Sequence, residues 1–370
     1  MYYKINRNKQ FNFQINRVLM YGKAACDKKL ISKELKNVKN IDQWYQAFIN
    51  VAAASKKYLH IAYAYRMAEF FLEYDDPRKS EVSIKCLSFF HKGFEKLGIT
   101  FEQHSISFDG GKMKCFRFPC QSPKGTLVIC GGYDSFIEEF VLQVYEFAKE
   151  GYEIILFEGP GQGECIGQGL HFRYDFDKAT SAVLDYFNVQ ECAFLGISWG
   201  GYFAIRSAAF DKRITKTIMY DVLLDGYEVM IRPLPSLLKR RIGKLIKAGR
   251  VNELEALCTR ICNRSMMARW MFHQGKHITG ADTFYDMYKR LARHNVKSFH
   301  EKVSCNLLIL AGEKDHYIPI SHYKQCKHLF PNAKSVKMRL FTKKEGGQQH
   351  CQIGNPRLAI EEIINWLENI

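Results

Sequence analysis

The stretch CAFLGISWGG, residues 192–201, decides the predicted fold. An apolar run typical of a buried strand leads into the pattern G-x-S-x-G at Gly196, Ser198 and Gly200, and a helical pattern follows. A sharp turn from strand to helix requires small residues two positions before and two positions after the serine, because larger side chains would collide there. The pattern alone is common by chance. Its position between a strand and a helix predicts that Ser198 is a nucleophile rather than a serine in an ordinary glycine-rich turn.

The segments on both sides of this turn alternate between apolar runs and amphipathic helical patterns. The apolar runs are TLVICGG at 126–132, YEIILF at 152–157, TKTIMYD at 215–221, NLLILAG at 306–312 and SVKMRLF at 335–341. This alternation predicts an α/β fold, with a mostly parallel central sheet flanked by helices and joined by right-handed crossovers. GKMKCFRF at 111–118 alternates apolar and polar residues, which predicts an antiparallel strand at the edge of the sheet.

Two regions have apolar residues at helical spacing and no strand pattern. Residues 1–103 are predicted to be an N-terminal helical region, and no Gly- or Pro-rich linker follows it, so we expect it to pack on the domain that follows. In the predicted domain arrangement it packs on the lid described next. Residues 222–302 interrupt the strand–helix series, as expected of an inserted helical lid over an active site. The α/β core therefore comprises residues 104–221 and 303–370.

A nucleophilic serine needs a histidine as general base and an acid that orients the histidine. In sheets of this kind the acid follows a late strand and the histidine follows the last strand, in the order Ser, acid, His. Asp315 comes just after the strand LLIL and His350 lies in the loop after SVKMRLF, so we predict a triad of Ser198, His350 and Asp315. The competing candidates are Glu313 as the acid, and His316, His322 and His328, which precede the last strand, as the base.

Backbone N–H groups are expected to stabilise the oxyanion, at roughly 3 kcal/mol of transition-state free energy for each donor. One donor is predicted to be Trp199, which follows the nucleophile. The other should come from the loop CGGYDS at 130–135, with Tyr133 as the first candidate and Gly132 as the second. EGPGQGE at 158–164 lacks both nucleotide-loop patterns, so we expect it only to turn out of its strand near the rim of the site.

The composition favours a globular cytoplasmic protein without a cofactor or metal. The chain of 370 residues is 47% hydrophobic, has no apolar run near the roughly 20 residues that cross a bilayer, and begins without signal-peptide features. Its 12 cysteines include no C-x-x-C pair, so neither a zinc site nor a disulfide framework is expected. The net charge of +16 is spread along the chain, which argues against nucleic-acid binding and is better explained by attraction of anionic substrates or lipids.

Several motifs along the chain carry a resemblance to a known family, and the run QHCQ at 349–352 is more distinctive than G-x-S-x-G. They are GGYDS at 131–135, FEGPGQGE at 157–164, GISWGG at 196–201, LAGEKDHYIP at 310–319, GGQQHCQIG at 346–354, FNFQINRVLMYG at 11–22 and AEFFLEYDDPRK at 68–79. Together they resemble the branch of the α/β-hydrolase superfamily that contains FrsA-type esterases, 2,6-dihydroxypseudooxynicotine hydrolase and fungal enzymes that shorten polyketides. The resemblance covers nearly the whole chain.

This resemblance implies the same triad of Ser198, Asp315 and His350, a helical N-terminal region and insertion that together cover the active site, and commonly a homodimer. Some members use an additional carboxylate near the start of the inserted segment. In this chain Asp221, Asp225 and Glu228 could fill that role, and the sequence does not choose among them.

The sequence therefore predicts a serine hydrolase that cleaves an ester, or a carbon–carbon bond next to a ketone, in a small molecule. An acyltransferase and a peptidase are alternatives that would use the same triad. A non-catalytic binding protein on a hydrolase scaffold is an alternative of another class, and the intact set of three catalytic side chains argues against it.

Overall fold

The computed structural model describes residues 1–133 and 135–370. Its strands are β1 (Glu102–Phe108), β2 (Gly111–Phe118), β3 (Thr126–Cys130), β4 (Glu153–Phe157), β5 (Cys192–Ile197), β6 (Ile214–Tyr220), β7 (Asn306–Gly312) and β8 (Ser335–Phe341). Its α-helices are α1 (Lys9–Leu19), α2 (Lys28–Leu35), α3 (Ile41–Ala54), α4 (Tyr58–Phe70), α5 (Pro77–Lys96), α6 (Ile137–Lys149), α7 (Asp177–Tyr186), α8 (Gly200–Phe210), α9 (Gly226–Ile231), α10 (Ser236–Lys247), α11 (Val251–Arg264), α12 (Met266–Thr279), α13 (Phe284–Ala292), α14 (Ile320–Gln325) and α15 (Arg357–Glu368). The residues group into two units. One contains Met1–Thr100, Cys258–His277 and Ile353–Asn355, and the other contains Phe101–Leu257, Ile278–Gln352 and Pro356–Ile370.

The first unit is helical, and its core is built around the buried Trp44 of α3. The Trp44 ring centroid lies 4.9 Å from that of Phe11, and its Nε1 donates a hydrogen bond to Met67 O at 2.6 Å. Trp270 of α12 belongs to the same unit and donates from Nε1 to Phe70 O at 3.1 Å. Buried indoles that find an acceptor for their N–H stabilise such a core by apolar burial without leaving a polar atom unpaired. Within this unit, a helix from residues 222–302 therefore packs on the N-terminal helices.

The second unit contains an eight-stranded sheet in the order β1-β2-β4-β3-β5-β6-β7-β8. The pairings of β1 with β2 and of β2 with β4 are antiparallel, and every later pairing is parallel. Each residue of β5 and β7 is buried, as expected for parallel strands covered on both faces. The predicted α/β class with a mostly parallel sheet is confirmed.

The strand GKMKCFRF is antiparallel as predicted, but it is not at the edge of the sheet. It forms β2 between β1 and β4, and β1 is the edge strand. Two of its polar residues pair with carboxylates: the buried Lys114 places Nζ 2.8 Å from Glu138 Oε1, and the partly exposed Arg117 places Nη2 2.6 Å from Glu153 Oε1. Alternation alone cannot distinguish a polar residue in water from a polar residue in an ion pair.

The carboxyl ends of the parallel strands collect the residues that the sequence selected. Parallel strands place their carboxyl ends at one edge of a sheet, which is where α/β proteins bind their ligands. The residues that follow these strands are Gly131–Tyr133 after β3, Ser198 after β5, Asp221 after β6, Asp315 after β7 and His350 after β8. The described residues between β6 and β7 contain the helices α9 to α13 and no strand. Among the residues that the structure describes, no helix is both long enough and apolar enough to span a membrane.

Candidate active site

Ser198 occupies the sharp turn between β5 and α8. Its φ of 63° is in the left-handed region, which a side chain with a Cβ adopts only under strain. A Cβ added to Gly196 would lie 1.8 Å from Gly200 O, so only glycine fits at that position. The Ser198 N–H donates to Tyr220 O, which ties the turn to the end of β6. The sharp turn predicted between strand and helix is therefore present, and it places the serine side chain beyond the end of the strand.

A continuous chain of hydrogen bonds joins Ser198, His350 and Asp315. Ser198 Oγ lies 2.7 Å from His350 Nε2, and His350 Nδ1 lies 2.6 Å from Asp315 Oδ2. The other oxygen of Asp315 accepts from Tyr317 N at 2.7 Å and Ile318 N at 2.9 Å. A carboxylate accepts only, so Nδ1 carries the ring proton, and Nε2 is left to accept from the serine hydroxyl. The structure thus brings together the three residues selected from the sequence.

Two of the four competing candidates, Glu313 and His322, take part in other interactions. Glu313 Oε1 accepts from Lys343 N at 2.8 Å. His322 accepts from Leu224 N at Nδ1 and bonds Glu228 through Nε2 at 2.9 Å. Burial lowers the pKa of His316 to about 4, so this side chain is neutral at physiological pH. His328 is exposed.

Asp315 and His350 shift each other's pKa. Burial by itself would raise the pKa of Asp315, but the neighbouring His350 charge and hydrogen bond keep that pKa below its usual value. Burial by itself would lower the pKa of His350, but the Asp315 charge and the hydrogen bonds to Asp221 and Asp315 raise it well above its ordinary value. The surroundings therefore favour the ion pair that forms when the imidazole takes up a proton.

Asp221 also reaches His350. Its Oδ2 lies 3.1 Å from His350 Nδ1 and accepts from Cys351 N at 2.6 Å, while Oδ1 accepts from Gln352 Nε2 at 3.0 Å. Burial, reinforced by the Asp315 charge, raises the pKa of Asp221, and the surrounding N–H donors oppose this shift. Asp221 therefore bonds both the imidazole and the backbone of the loop that carries it.

The other two candidates for an additional carboxylate do not approach the imidazole. Asp225 caps α9 by accepting from Glu228 N at 3.0 Å and also accepts from Asn295 Nδ2 at 2.8 Å. Glu228 bonds His322 and has a half-exposed side chain. Of the three acids, Asp221 alone takes part in the hydrogen bonds described for His350.

The loop after β3 lies directly against the serine turn. A Cβ on Gly132 would be 2.6 Å from Trp199 N and 3.1 Å from Ser198 Cβ, so glycine is required for this close approach. The Tyr133 ring stacks on the Trp199 ring with centroids 5.6 Å apart. The two backbone N–H groups predicted as oxyanion donors, those of Tyr133 and Trp199, thus belong to neighbouring segments beside Ser198.

Ligand atoms of Asp221, His350 and Cys351 lie within 4.8 Å of one another and could in principle hold a metal ion. A thiol binds metal as the thiolate, and burial raises the pKa of Cys351. A metal on His350 Nδ1 would also displace the hydrogen bonds to Asp315 and Asp221. The donor set therefore suits an oriented imidazole better than a metal site.

Two features of this site were not found from the sequence. The first is the pair of hydrogen bonds from Gln162 to the loop after β3. The glycines around Gln162 were recognisable in the sequence, but these bonds were not predicted. The contact between Asp221 and His350 joins residues that lie far apart in the chain, after β6 and after β8. They are brought together by the order of strands in the sheet, and that order cannot be read from the sequence.

Known proteins support the fold and the class of enzyme. A family model described as serine aminopeptidase, S33, matches residues 121–346. Hydrolase acrC of Aspergillus aculeatus is 26% identical over 359 residues, which cover 86% of this chain and 82% of the relative. The 20-hydroxy-prefusarin hydrolase FUS2 of Gibberella moniliformis is 27% identical and is matched over 84% of this chain and 80% of its own length.

Solved structures match over nearly the full length. The crystal structure of 2,6-dihydroxy-pseudo-oxynicotine hydrolase superposes with a TM-score of 0.69 at 20% identity, covering 95% of this chain and 94% of the other. Wild-type AbyA5 superposes with a TM-score of 0.71 at 14% identity, covering 98% and 95%. At such identities the likeness concerns the fold. The resemblance to α/β-hydrolases that the sequence motifs indicated is confirmed.

Proposed function

Because this chain belongs to the serine aminopeptidase S33 family and is a hydrolase, we propose that it cleaves an ester, or a ketone-adjacent carbon–carbon bond, of a small molecule through Ser198. The observation that carries the proposal is the uninterrupted chain from Ser198 Oγ through His350 to Asp315, with hydrogen bonds of 2.7 Å and 2.6 Å. A serine hydroxyl is a weak nucleophile at neutral pH until a base removes its proton.

In the first half of the reaction, His350 Nε2 removes the Ser198 proton as Oγ attacks the substrate carbonyl. The N–H groups of Tyr133 and Trp199 stabilise the negative oxygen of the tetrahedral intermediate. The leaving group departs with the proton from His350, and the acyl group stays on Ser198 as an ester. In the second half His350 activates water, which releases the acid and restores the serine.

Asp315 and Asp221 have different parts in this scheme. Asp315 holds the ring tautomer and stabilises the imidazolium through the shorter hydrogen bond. Asp221 adds a second negative charge at the same nitrogen and fixes the histidine loop through Cys351 N. For a carbon–carbon bond the leaving group is a carbanion, and the imidazolium held between these carboxylates is the acid that protonates it.

We further propose that residues 222–302 act as a lid, with residues 1–103 packed on it and the core formed by 104–221 and 303–370. Two contacts support the lid. A Cβ on Gly226 would lie 2.6 Å from the Trp199 ring, and the His294 ring centroid lies 5.5 Å from that of Trp199. Both residues lie in the interval between β6 and β7 and reach the residue that follows the nucleophile.

The remaining sequence predictions are a cytoplasmic location and a homodimer. The free cysteines, most of them buried, support a reducing compartment. Fractionation of cells that express the tagged protein tests the location, and light scattering on the purified protein tests the homodimer. A monomer at micromolar concentration would contradict the dimer.

Labelling with a fluorophosphonate probe tests the proposed nucleophile. The wild type should be labelled covalently, and Ser198→Ala should not be labelled while keeping the wild-type circular dichroism spectrum. A panel of p-nitrophenyl esters, a β-diketone and aminoacyl amides then separates ester, carbon–carbon and peptide bond cleavage. Undiminished labelling of Ser198→Ala would show that another residue is the nucleophile.

A further inference from the structure

The glycine-rich segment at 158–164 lies beside the loop after β3. Within it, Gln162 has no exposed surface. Its Nε2 donates to Gly131 O at 2.6 Å and to Gly132 O at 3.0 Å, and its Oε1 accepts from Gly159 N at 2.9 Å. Both amide hydrogens are therefore engaged by two consecutive carbonyl groups of one loop.

A second side chain supports the same carbonyl. Ser135 Oγ donates to Gly132 O at 3.0 Å, and Ser135 O accepts from Gly163 N at 3.0 Å. The Gly132 carbonyl thus accepts from two buried donors, Gln162 and Ser135. Buried carbonyl groups that are satisfied in this way resist rotation, because turning away would leave both donors without an acceptor.

The direction of one carbonyl fixes the direction of the next N–H. In a trans peptide the C=O of Gly132 and the N–H of Tyr133 point to opposite sides. Gln162 and Ser135 hold the oxygen, and Gly132 itself packs on Trp199 N and Ser198 Cβ. If this peptide turned over, a carbonyl oxygen would face the position where the substrate oxygen becomes negative, and it would repel that oxygen.

We propose that Gln162 is the positioning residue of the oxyanion hole. It does not touch the substrate. It acts through the Gly132–Tyr133 peptide by keeping the carbonyl away from the site and the Tyr133 N–H turned towards it. This inference rests on the proposed function, since it assigns a task to a residue behind the proposed oxyanion donor.

The primary test is the kinetics of fluorophosphonate inactivation of Gln162→Leu. The phosphoryl oxygen of the probe becomes more negative as Ser198 attacks, so the maximal inactivation rate reports on the oxyanion donors. We expect that rate to fall about 10²-fold, which is the usual loss for one oxyanion donor. The probe concentration at half-maximal rate should stay within about threefold of wild type, because the ground state does not need the donor.

The matched control is Gln168→Leu. Gln168 lies in the same stretch of chain, and it also bonds a backbone from both ends of its amide, accepting from Lys112 N at 2.8 Å and donating to Lys112 O at 3.1 Å. It is exposed, and its hydrogen bonds go to Lys112 and to Glu164 O, not to the described residues of the loop after β3. Its variant should be inactivated at the wild-type rate.

Gln162→Glu is the second variant and covers the case in which Gln162→Leu does not fold. It keeps the shape and the acceptor for Gly159 N, and at a pH where its carboxyl group is ionised it replaces the donor by an oxygen that repels both carbonyl groups. A loss of rate at least as large as for leucine is expected. An unchanged rate in either folded variant would overturn the proposal.

Crystal structures of these variants separate this inference from the proposed function. We expect the Gly132–Tyr133 peptide to be rotated or disordered in them, and an unchanged peptide would overturn the role of Gln162. A wild-type protein that does not react with the probe would contradict the proposed function instead. The peptide orientation would still decide whether Gln162 positions this loop.

Discussion

Asp221 Oδ2 lies 3.1 Å from His350 Nδ1, the same ring nitrogen that bonds Asp315 Oδ2 at 2.6 Å. The imidazole therefore faces two buried carboxylates at one N–H. Asp221 cannot easily turn away, because it also accepts from Cys351 N and the Gln352 side chain. In the proposed mechanism the imidazole takes up the serine proton, and both carboxylates would then stabilise the resulting charge.

The first prediction concerns the pH dependence of Asp221→Asn. The wild-type carboxylate helps to raise the pKa of His350, so its removal lowers that pKa. Hydrolysis needs neutral His350, and kcat/KM therefore rises with pH through its pKa. The rising limb of the profile should move to lower pH in the variant, as measured with a p-nitrophenyl ester. Glu228→Gln is the control, because Glu228 bonds His322, and its limb should not move.

The second prediction ranks the two acids by their effect on turnover. Asp315→Asn should lower kcat by roughly 10³- to 10⁴-fold, because asparagine can stabilise the wrong ring tautomer. Asp221→Asn should cost about tenfold, since its contact with Nδ1 is longer and the tautomer is set by Asp315. Steady-state kinetics at the optimum pH of each variant measure both losses. A larger loss for Asp221 would make Asp221 the acid of the triad.

The third prediction concerns space beside the nucleophile. A Cβ on Gly132 would lie 2.6 Å from Trp199 N, so Gly132→Ala should displace an oxyanion donor and reduce kcat by at least about 10²-fold. Gly125→Ala adds the same methyl group where, apart from its chain neighbours, no described atom lies within 4 Å, and it should keep wild-type activity. Both variants are compared by ester hydrolysis and by thermal unfolding. Full activity of Gly132→Ala would contradict the close approach of the two loops.

The fourth prediction concerns stability around Lys114. Its buried Nζ lies 2.8 Å from Glu138 Oε1 and 3.7 Å from Glu158 Oε1, and burial raises the pKa of Glu158 to about 7. Lys114→Met leaves these carboxylates without their cation, which should reduce the free energy of unfolding by about 3–5 kcal/mol. Urea unfolding at neutral pH measures the loss. Arg117→Met, which breaks a partly exposed pair with Glu153, should cost about 1 kcal/mol or less.

The pH dependence of the stability loss in Lys114→Met offers a second check on the buried ion pairs of Lys114 with Glu138 and Glu158. A carboxyl group whose pKa is raised in the folded state binds more protons when folded than when unfolded. Its penalty is therefore absent below the unfolded pKa and grows as the pH rises through the folded pKa. The deficit of Lys114→Met should accordingly shrink when unfolding is measured at about pH 5 instead of about pH 8. A deficit that grows on acidification would contradict the assignment of buried carboxylates.

Local sequence rules predicted the elements and the serine turn. The glycines around Ser198 are required because residues within the turn lie close to one another, as Gly196 does to Gly200 O. Such a requirement can be recognised from a few consecutive residues of the sequence. The order of serine, acid and histidine predicted which late loops to search, and His350 and Asp315 lie in hydrogen-bonding contact. Their catalytic roles stay predictions until the variants are measured.

Contacts between distant segments were beyond reach of the sequence. The edge position of GKMKCFRF was wrong because a further strand, β1, pairs with it from Gly111 to Arg117 and takes the edge. The sequence offered three equivalent acids near the start of the insertion, and only the adjacency of strand ends selects Asp221. The grouping of Cys258–His277 with the N-terminal helices likewise depends on packing and carries no local signal.

The first unit combines the N-terminal helices with the segment Cys258–His277, which the ribosome synthesises much later. Trp270 bonds Phe70 across a separation of 200 residues, so the N-terminal helices are made long before the segment that completes their core. At a synthesis rate of about 5–20 residues per second, roughly 10–40 s pass between the synthesis of the aromatic face that contacts Trp270 and the synthesis of Trp270 itself. During that interval the aromatic face is an exposed apolar surface on a nascent chain. We therefore expect the growing polypeptide to depend on a chaperone that shields this face until residue 277 has emerged.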